Sequence, residues 1–511
     1  GWAALRAGRQ TGRRAMLAGL LALAVAPGAL ALDAPLPRPR PAAVPGASAG
    51  APTPAAAALP HAPSGVQGWL AVDLDSGAVL DAQGAGRPMA PASVAKLPTA
   101  VYALERLGPG HRFETRLLAR GEIAGDRIEG DLILAGGGDP ELDTDALLPL
   151  VMAAKAAGLR RVSGRFLVDP GPAPELPAID PEQPEDAAYN PGVSGLNLNF
   201  NRVRVEWPDR AAQSDIQVTA RALRLNPGVT GVRVVSAAAS DGAVLAHSVE
   251  GGAEVWRIAD RELAKRGGRW LPVRQPAAYA GEVFAALCAT HGIVLPGAVA
   301  GAAAPGDRVL AVRSSAPLAA ILGDMLHHST NLTAEVVGQA ASGVPGDPVA
   351  SAAAMNAWAA GFAGFAPDDA GFAFANHSGL STVSRVSAER MVDFLRAAAG
   401  RPVPEGTEPG NPRLPGGIAR LLRPYSIAAK EDGAAFRDLT IVAKTGTMDF
   451  VRGLAGYIVT PKGKRLAFAV FANDIDRRTG GVTRIDRAWM GRARGFEKAL
   501  LRRWVAMADA G

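Results

Sequence analysis

The apolar positions of this chain change period several times, and the changes outline its elements. From Gly68 to Asp81, apolar and polar residues alternate around Asp75-Ser76-Gly77, which predicts two strands joined by a turn. Pro91 to Leu107 is Ala/Leu-rich with helical spacing and predicts a helix opening near Ser93, with Pro98 forcing a kink or a late start. After Gly108 the pattern turns β-rich, with strands expected at Phe113 to Ala119 and Gly130 to Ala135 and a helix from Asp145 to Ala157. Helical spacing returns at Ala277 to His291, and again at Leu318 to Leu326 and Leu332 to Gly338 on either side of a polar break. Three apolar runs, Leu439 to Ala443, Leu454 to Val459 and Leu466 to Phe471, predict an antiparallel meander. The last segment places Trp489, Phe496, Leu500, Trp504 and Met507 at helical spacing among Arg484, Arg487, Arg492, Arg494, Lys498, Arg502 and Arg503. That is an amphipathic helix, to be packed on the domain or, alternatively, laid on an anionic membrane or cell-wall surface.

Composition alters this picture mainly at the N-terminus. Arg13-Arg14 precede the apolar run Ala15 to Val25, and Ala29-Leu30-Ala31 has the small residues of a cleavage site, so residues 1–31 read as a signal peptide for export to the periplasm. The Sec route fits better than the twin-arginine route, because Gly12, Met16 and Ala18 match the latter poorly. The apolar run is shorter than the roughly 20 residues of a membrane span, and no transmembrane segment is expected. Residues 32–65, rich in Pro and Ala, cannot bury a core and read as a disordered linker. The net charge of +6 hints at nucleic acid, yet Arg6, Arg9, Arg13 and Arg14 leave with the signal, so no nucleic-acid partner is expected. Cys288 is alone, which excludes an internal disulfide and a thiolate metal cluster. His327 and His328 point about 100° apart on a helix, so neither a metal site nor a cofactor is expected.

Three short strings carry the candidate chemistry: Ser93-Val94-Ala95-Lys96, Ser329-Thr330-Asn331 and Lys444-Thr445-Gly446. Singly, each has a plainer account: a serine capping a helix, a second helix cap, an exposed turn. Together and in this order they are a signature of penicillin-binding proteins and class A β-lactamases. Lys96, one turn after Ser93, can take the serine proton if burial or a neighbouring cation such as Lys444 depresses its pKa. Ser329 can relay a proton to a leaving amine, and the Asn331 amide can hold a peptide group. Lys444 and Thr445 suit a terminal carboxylate, and Gly446 permits close approach of a substrate backbone.

With Gly130 to Pro140, Tyr189 to Asn199 and Ser378-Gly379-Leu380-Ser381, these strings resemble the three-domain D-alanyl-D-alanine carboxypeptidase/endopeptidases, the class C low-molecular-mass penicillin-binding proteins. The resemblance implies an α/β (α+β) β-lactamase/transpeptidase-like catalytic domain, an antiparallel sheet flanked by helices, formed by 66–111 plus 276–511. Residues 112–275 would be an inserted β-rich region of two small domains, consistent with the more than two hundred residues between Lys96 and Ser329.

It also implies cleavage of D-Ala-D-Ala in peptidoglycan stem peptides, and of D-alanyl cross-links, through a Ser93 acyl-enzyme that penicillins also form. The backbone N–H groups of Ser93 and Thr447 would make the oxyanion hole. Met448 and Tyr189 would line a pocket for the diaminopimelyl side chain, with Asp186 or Glu185 as the acidic partner. The chain departs from the family where Asn376-His377 and Thr382 flank Ser378 to Ser381, with Arg385 the nearest arginine. Two other functions remain open at this point: a β-lactamase-like hydrolase, for which no Glu-x-x-Leu-Asn string is present, and a non-catalytic cell-wall binding protein that retains the fold.

Overall fold

The computed structural model describes Leu59 and residues 62–511 apart from 172–173, 239–244, 345, 408–410, 429–435 and 479–484. The expected signal peptide, nearly all of the expected linker, and Arg484 lie outside the described residues.

The strands of the meander, Thr440–Met448, Val451–Val459 and Arg465–Asn473, form as expected and are extended by strands from the start of the chain. The order across this sheet is Arg423–Pro424, Thr440–Met448, Val451–Val459, Arg465–Asn473, Val66–Asp73, Val79–Gln83, and every neighbouring pair is antiparallel. Successive side chains on a strand face opposite ways, and both faces here are covered. Leu70, Val72, Ala455, Tyr457, Ala467 and Ala469 join the cluster built with helices Lys96–Leu107, Leu318–His328, Asn331–Ser342 and Ala388–Ala399. Trp69, Ala71, Leu454, Ile458, Phe468 and Val470 meet Phe496, Leu500, Leu501 and Trp504 of the C-terminal helix, Arg487–Ala510. Trp504 Nε1 also donates to Asp81 at 2.8 Å. The apolar face of that helix is therefore spent on the sheet, while Arg487, Arg492, Arg494 and Lys498 stay exposed. No described helix is long and apolar enough to cross a membrane.

Between Lys96–Leu107 and Leu318–His328 the chain builds a second body. Its main sheet runs Ala298–Ala300, Phe166–Asp169, Arg127–Ala135, Glu114–Ala124, Arg308–Ser314, beside two three-stranded sheets. Three sheets around a shared apolar cluster replace the two small domains expected. The expected return to the catalytic domain at residue 276 is also corrected. Helix Pro276–Thr290 sends Tyr279, Val283, Phe284 and Leu287 into the cluster of the inserted body, and Arg308–Ser314 pairs with Glu114–Ala124. Apolar periodicity reports that a helix has a buried face, not which sheet buries it. The catalytic layer resumes at Leu318.

Candidate active site

Ser93 lies in a single 3-10 turn, Ala92–Ala95, that runs directly into the helix starting at Lys96. Pro98 is then the third helical residue, where a missing N–H costs little, so the late start rather than a kink is what forms. Ala92 has φ 46°, and the chain passing over it must be bare: a Cβ on Gly379, itself at φ 76°, would lie 2.0 Å from the Ala92 carbonyl oxygen. On the opposite side a Cβ on Gly446 would lie 2.3 Å from the Pro91 oxygen and 3.1 Å from the Ser93 nitrogen. Glycine at 446 therefore brings the Thr440–Met448 strand into backbone contact with the serine turn, in addition to any approach of substrate. Gly446→Ala is expected to separate the two and slow acylation of Ser93 about 100-fold, the size of effect that a 1 Å misplacement produces; stopped-flow acylation rates measure it.

Ser329 and Asn331 occupy the break between Leu318–His328 and Asn331–Ser342. Ser329 caps the first helix in the left-handed region, φ 61° and ψ 39°, a conformation that costs a residue other than glycine roughly 1–2 kcal/mol. The turn aims its hydroxyl at Lys444, whose Nζ donates to Ser329 Oγ at 2.9 Å and to the Thr445 carbonyl at 2.8 Å. Asn331 Oδ1 accepts from Lys96 Nζ at 2.7 Å, while its Nδ2 donates to the Tyr189 carbonyl at 2.9 Å.

Lys96 is fully buried. Its Nζ lies 3.0 Å from Ser93 Oγ, 2.7 Å from Asn331 Oδ1 and 2.8 Å from the Ser378 carbonyl oxygen. An ammonium has three N–H donors for these three acceptors. A neutral amine has two, and with Asn331 and Ser378 taking them its lone pair faces the Ser93 hydroxyl. Burial, and then the charge of Lys444, hold the Lys96 pKa well below the ordinary lysine value, against an upward pull from Glu335. Burial and the charges of Arg452 and Arg423 bring Lys444 down to about 7. Lys444 is thus placed to exchange protons near neutral pH, and Lys96 is pushed toward the neutral amine.

Several groups that complete the site were not singled out from the sequence. Arg452, the cross-strand partner of Thr447, donates to Thr447 Oγ1 at 2.8 Å and to both oxygens of Glu497 at 2.8 and 2.9 Å. A charge inside the apolar run Val451–Val459, buried at every position, was the available signal that a buried counter-ion exists. Glu335 lies one turn after Asn331, on the same face.

The residues expected around a side-chain pocket are less well gathered. Tyr189 reaches the site through its carbonyl, its side chain is half exposed, and its hydroxyl lies 3.4 Å from Gln183 Oε1. Met448 is buried against Ala90, Ala92 and Val451. Asp186 is near enough to act on Tyr189 but is paired with Arg269 at 3.8 Å. The acidic group bonded to the Leu380–Thr382 segment is Glu182, which accepts from Thr382 Oγ1 at 3.5 Å.

A serine addressed by one buried lysine, and a second serine addressed by another, beside an antiparallel sheet with a helical layer, define an acyl-transferring serine enzyme of the β-lactamase/transpeptidase class. Comparison with known proteins narrows this. Residues 54–488 match the model of the D-Ala-D-Ala carboxypeptidase 3 (S13) family. The D-alanyl-D-alanine carboxypeptidase of Actinomadura sp. (strain R39) is 30% identical over 463 residues, covering 81% of this chain and 79% of the relative. A carboxypeptidase of Mycobacterium tuberculosis is 28% identical over 394 residues, covering 76% and 72%. In fold, the crystal structure of penicillin-binding protein 4 from Haemophilus influenzae is similar, with TM-score 0.68 at 21% identity over 87% of this chain and 98% of that one. The chain belongs to the D-Ala-D-Ala carboxypeptidase 3 (S13) family of serine peptidases.

Proposed function

We propose that the protein removes the terminal D-alanine from peptidoglycan stem peptides and opens D-alanyl cross-links, through an acyl-enzyme on Ser93. The observation that carries this reading is the double pairing, Lys96 on Ser93 and Lys444 on Ser329, with Asn331, two residues after Ser329, accepting from Lys96.

The two pairings support an acylation route. The substrate carboxylate sits against Lys444 and Thr445, and the scissile carbonyl lies between the N–H groups of Ser93 and Thr447. Lys96 takes the Ser93 proton as Oγ attacks, and the oxyanion is held by the two N–H donors, each worth a few kcal/mol in such sites. As the C–N bond breaks, Ser329 gives its proton to the departing amine and is resupplied from Lys444. Lys96 releases its proton to solvent and Lys444 regains one, after which water attacks the ester with the neutral Lys96 as base, and the proton it takes passes to the departing Ser93 Oγ. A cross-link presents the same D-alanyl amide with a side-chain amine as leaving group, so the same steps serve an endopeptidase. A β-lactam carries a strained amide and a carboxylate in the same relation. The structure of Haemophilus influenzae penicillin-binding protein 4 in complex with a β-lactam, of similar fold at TM-score 0.64, supports binding of such inhibitors. The signal peptide read from residues 1–31 would bring the enzyme to this substrate in the periplasm. Tyr189, Met448 and Asp186 remain our candidates for contact with the side chain of the third stem residue.

Intact-mass spectrometry after incubation with a fluorescent penicillin, on wild type and on Ser93→Ala, tests the reading. One adduct per chain is expected in the wild type and none in the variant, together with D-alanine release from a D-Ala-D-Ala peptide by the wild type alone. A folded wild type that takes up no penicillin and releases no D-alanine would overturn it.

A further inference from the structure

The lone pair of Lys96 points at Ser93 only while two acceptors hold its N–H bonds. One of them is the Ser378 carbonyl, at 2.8 Å, and a backbone carbonyl can be aimed only by fixing its peptide. Its own peptide is tied by the Gly379 N–H, which donates to Asn376 Oδ1 at 2.9 Å, and the chain leading into Ser378 is fixed by Glu335. Its Oε1 accepts from the Ser378 N–H at 2.8 Å and its Oε2 from the His377 N–H at 3.4 Å. Thr99, on the Lys96 helix, donates to the His377 carbonyl at 2.8 Å. Glu335 is 1% exposed, and Ser378 and His377 are fully buried.

We propose that Glu335 is a positioning residue for acylation, holding the 377–378 peptide so that the Ser378 carbonyl receives Lys96, and serving as the buried counter-charge to the ammonium that Lys96 becomes when it takes the Ser93 proton. This rests on the acyl-enzyme reading of the site.

The charges around Lys96 agree with it. The strand side presents Lys444, which disfavours a second cation, and the Asn331–Ser342 helix presents Glu335, whose pull is the one acting to raise the Lys96 pKa. His377 is held neutral, its pKa brought down to about 3 by burial, so the anion has no neighbouring imidazolium to neutralise it. Burial acts on Glu335 in the opposite sense, raising its pKa, while the Ser378 and His377 hydrogen bonds and Lys96 favour the carboxylate. Two N–H donors aimed at its oxygens suit an acceptor-only, ionised group. Placement by sequence is simple as well: Asn331 and Glu335 are four residues apart on one helix, so one face delivers the direct acceptor and the anchor of the indirect one.

Glu335→Gln separates the two parts of the role, since it keeps length and one acceptor for the Ser378 N–H but removes the charge. The readout is the rate of penicillin acylation from pH 5 to 9 on the full chain, with thermal unfolding measured in parallel. Loss of a nearby anion makes Lys96 easier to deprotonate, so the acid limb of the profile is expected to move down by about 1 pH unit. The plateau is expected to fall by up to about tenfold, because a unit of proton affinity lost by the base is a tenfold change. Glu335→Asp keeps the charge and is expected to leave the limb where it is while the rate drops. An unmoved limb in the Gln variant, whatever its rate, would overturn the proposal and leave Glu335 a purely structural group. An equal shift in the Asp variant would overturn it too. Should the Gln variant show no cooperative unfolding transition, Glu335→Asn takes its place at the same readout. Absence of any wild-type adduct would instead sink the acyl-enzyme reading itself, so the two failures are distinguishable.

Discussion

Lys96→Met is expected to yield a folded protein that is acylated by penicillin at least about 1,000-fold more slowly than wild type, within the range that a positioned general base supplies. Methionine nearly matches lysine in length and fills a fully buried position without the desolvation cost of an amine. What it removes is the only group hydrogen-bonded to the Ser93 hydroxyl among the described residues. The Asn331 Oδ1 and Ser378 carbonyl lose their donor as well, at roughly 1–3 kcal/mol for each acceptor left unsatisfied. Removal of the buried amine offsets part of this cost, so the melting temperature is expected to change far less than the rate. Acylation kinetics and thermal melts on the same preparation decide the matter. A rate within tenfold of wild type would remove Lys96 from the role of base.

The largest effect on stability is expected from Arg452→Leu. Arg452 and Glu497 are 5% and 2% exposed in their side chains, joined by two hydrogen bonds of 2.8 and 2.9 Å, with the Tyr425 hydroxyl 3.3 Å from the same carboxylate. Removing the guanidinium leaves a buried carboxylate with, among the described residues, only that hydroxyl bonded to it, and such losses run to about 3–5 kcal/mol. For a chain of this size that is a fall on the order of 10 °C in melting temperature. The double variant Arg452→Leu/Glu497→Leu should recover most of the loss, because both desolvated charges are gone. Its acylation should nevertheless stay slow, since Thr447 Oγ1 has lost the 2.8 Å bond from Arg452 that steadies one of the proposed oxyanion donors. Calorimetry on the two variants checks the first part and penicillin acylation the second. A single variant that loses less than about 1 kcal/mol would show that water or a neighbour compensates Glu497.

The contrast between these residues explains what the sequence could and could not reveal. Ser93 with Lys96, and Ser329 with Asn331, are legible because their chemistry depends on separations within one or two turns of backbone. The meander is legible because its strands follow one another directly, with apolar runs set by burial on both faces. Glu335 was hidden because it acts through a backbone carbonyl, which has no letter in the sequence. The pairing of Arg452 with Glu497 joins a strand to the C-terminal helix, and residues 45 apart carry no local mark of each other. The return to the catalytic layer was placed about forty residues early for a related reason: Pro276–Thr290 looks like any core helix, and only the pairing of Arg308–Ser314 with Glu114–Ala124 shows which body it serves. In the side-chain pocket the acidic residues near Tyr189 were recognised as a group, yet ion pairing with Arg269 ties up Asp186, a partner eighty-odd residues away.

The strand order has a consequence for how the molecule comes to be active. Val66–Asp73, near the start of the described chain, is paired along its whole length with Arg465–Asn473, and Gly446 meets the serine turn from the strand two places further across. As synthesis proceeds, the inserted body has all of its strands once residue 314 has emerged and can close its own core. The first strand and the nucleophile then wait for nearly four hundred residues before the partner that completes their sheet exists. A prematurely terminated chain would carry Ser93 and Lys96 but neither Lys444 from the meander nor the strand that seats the turn. Competence is thus acquired only once the strands Thr440–Met448 and Arg465–Asn473 have been made, and a chain that stops before them is inert by topology.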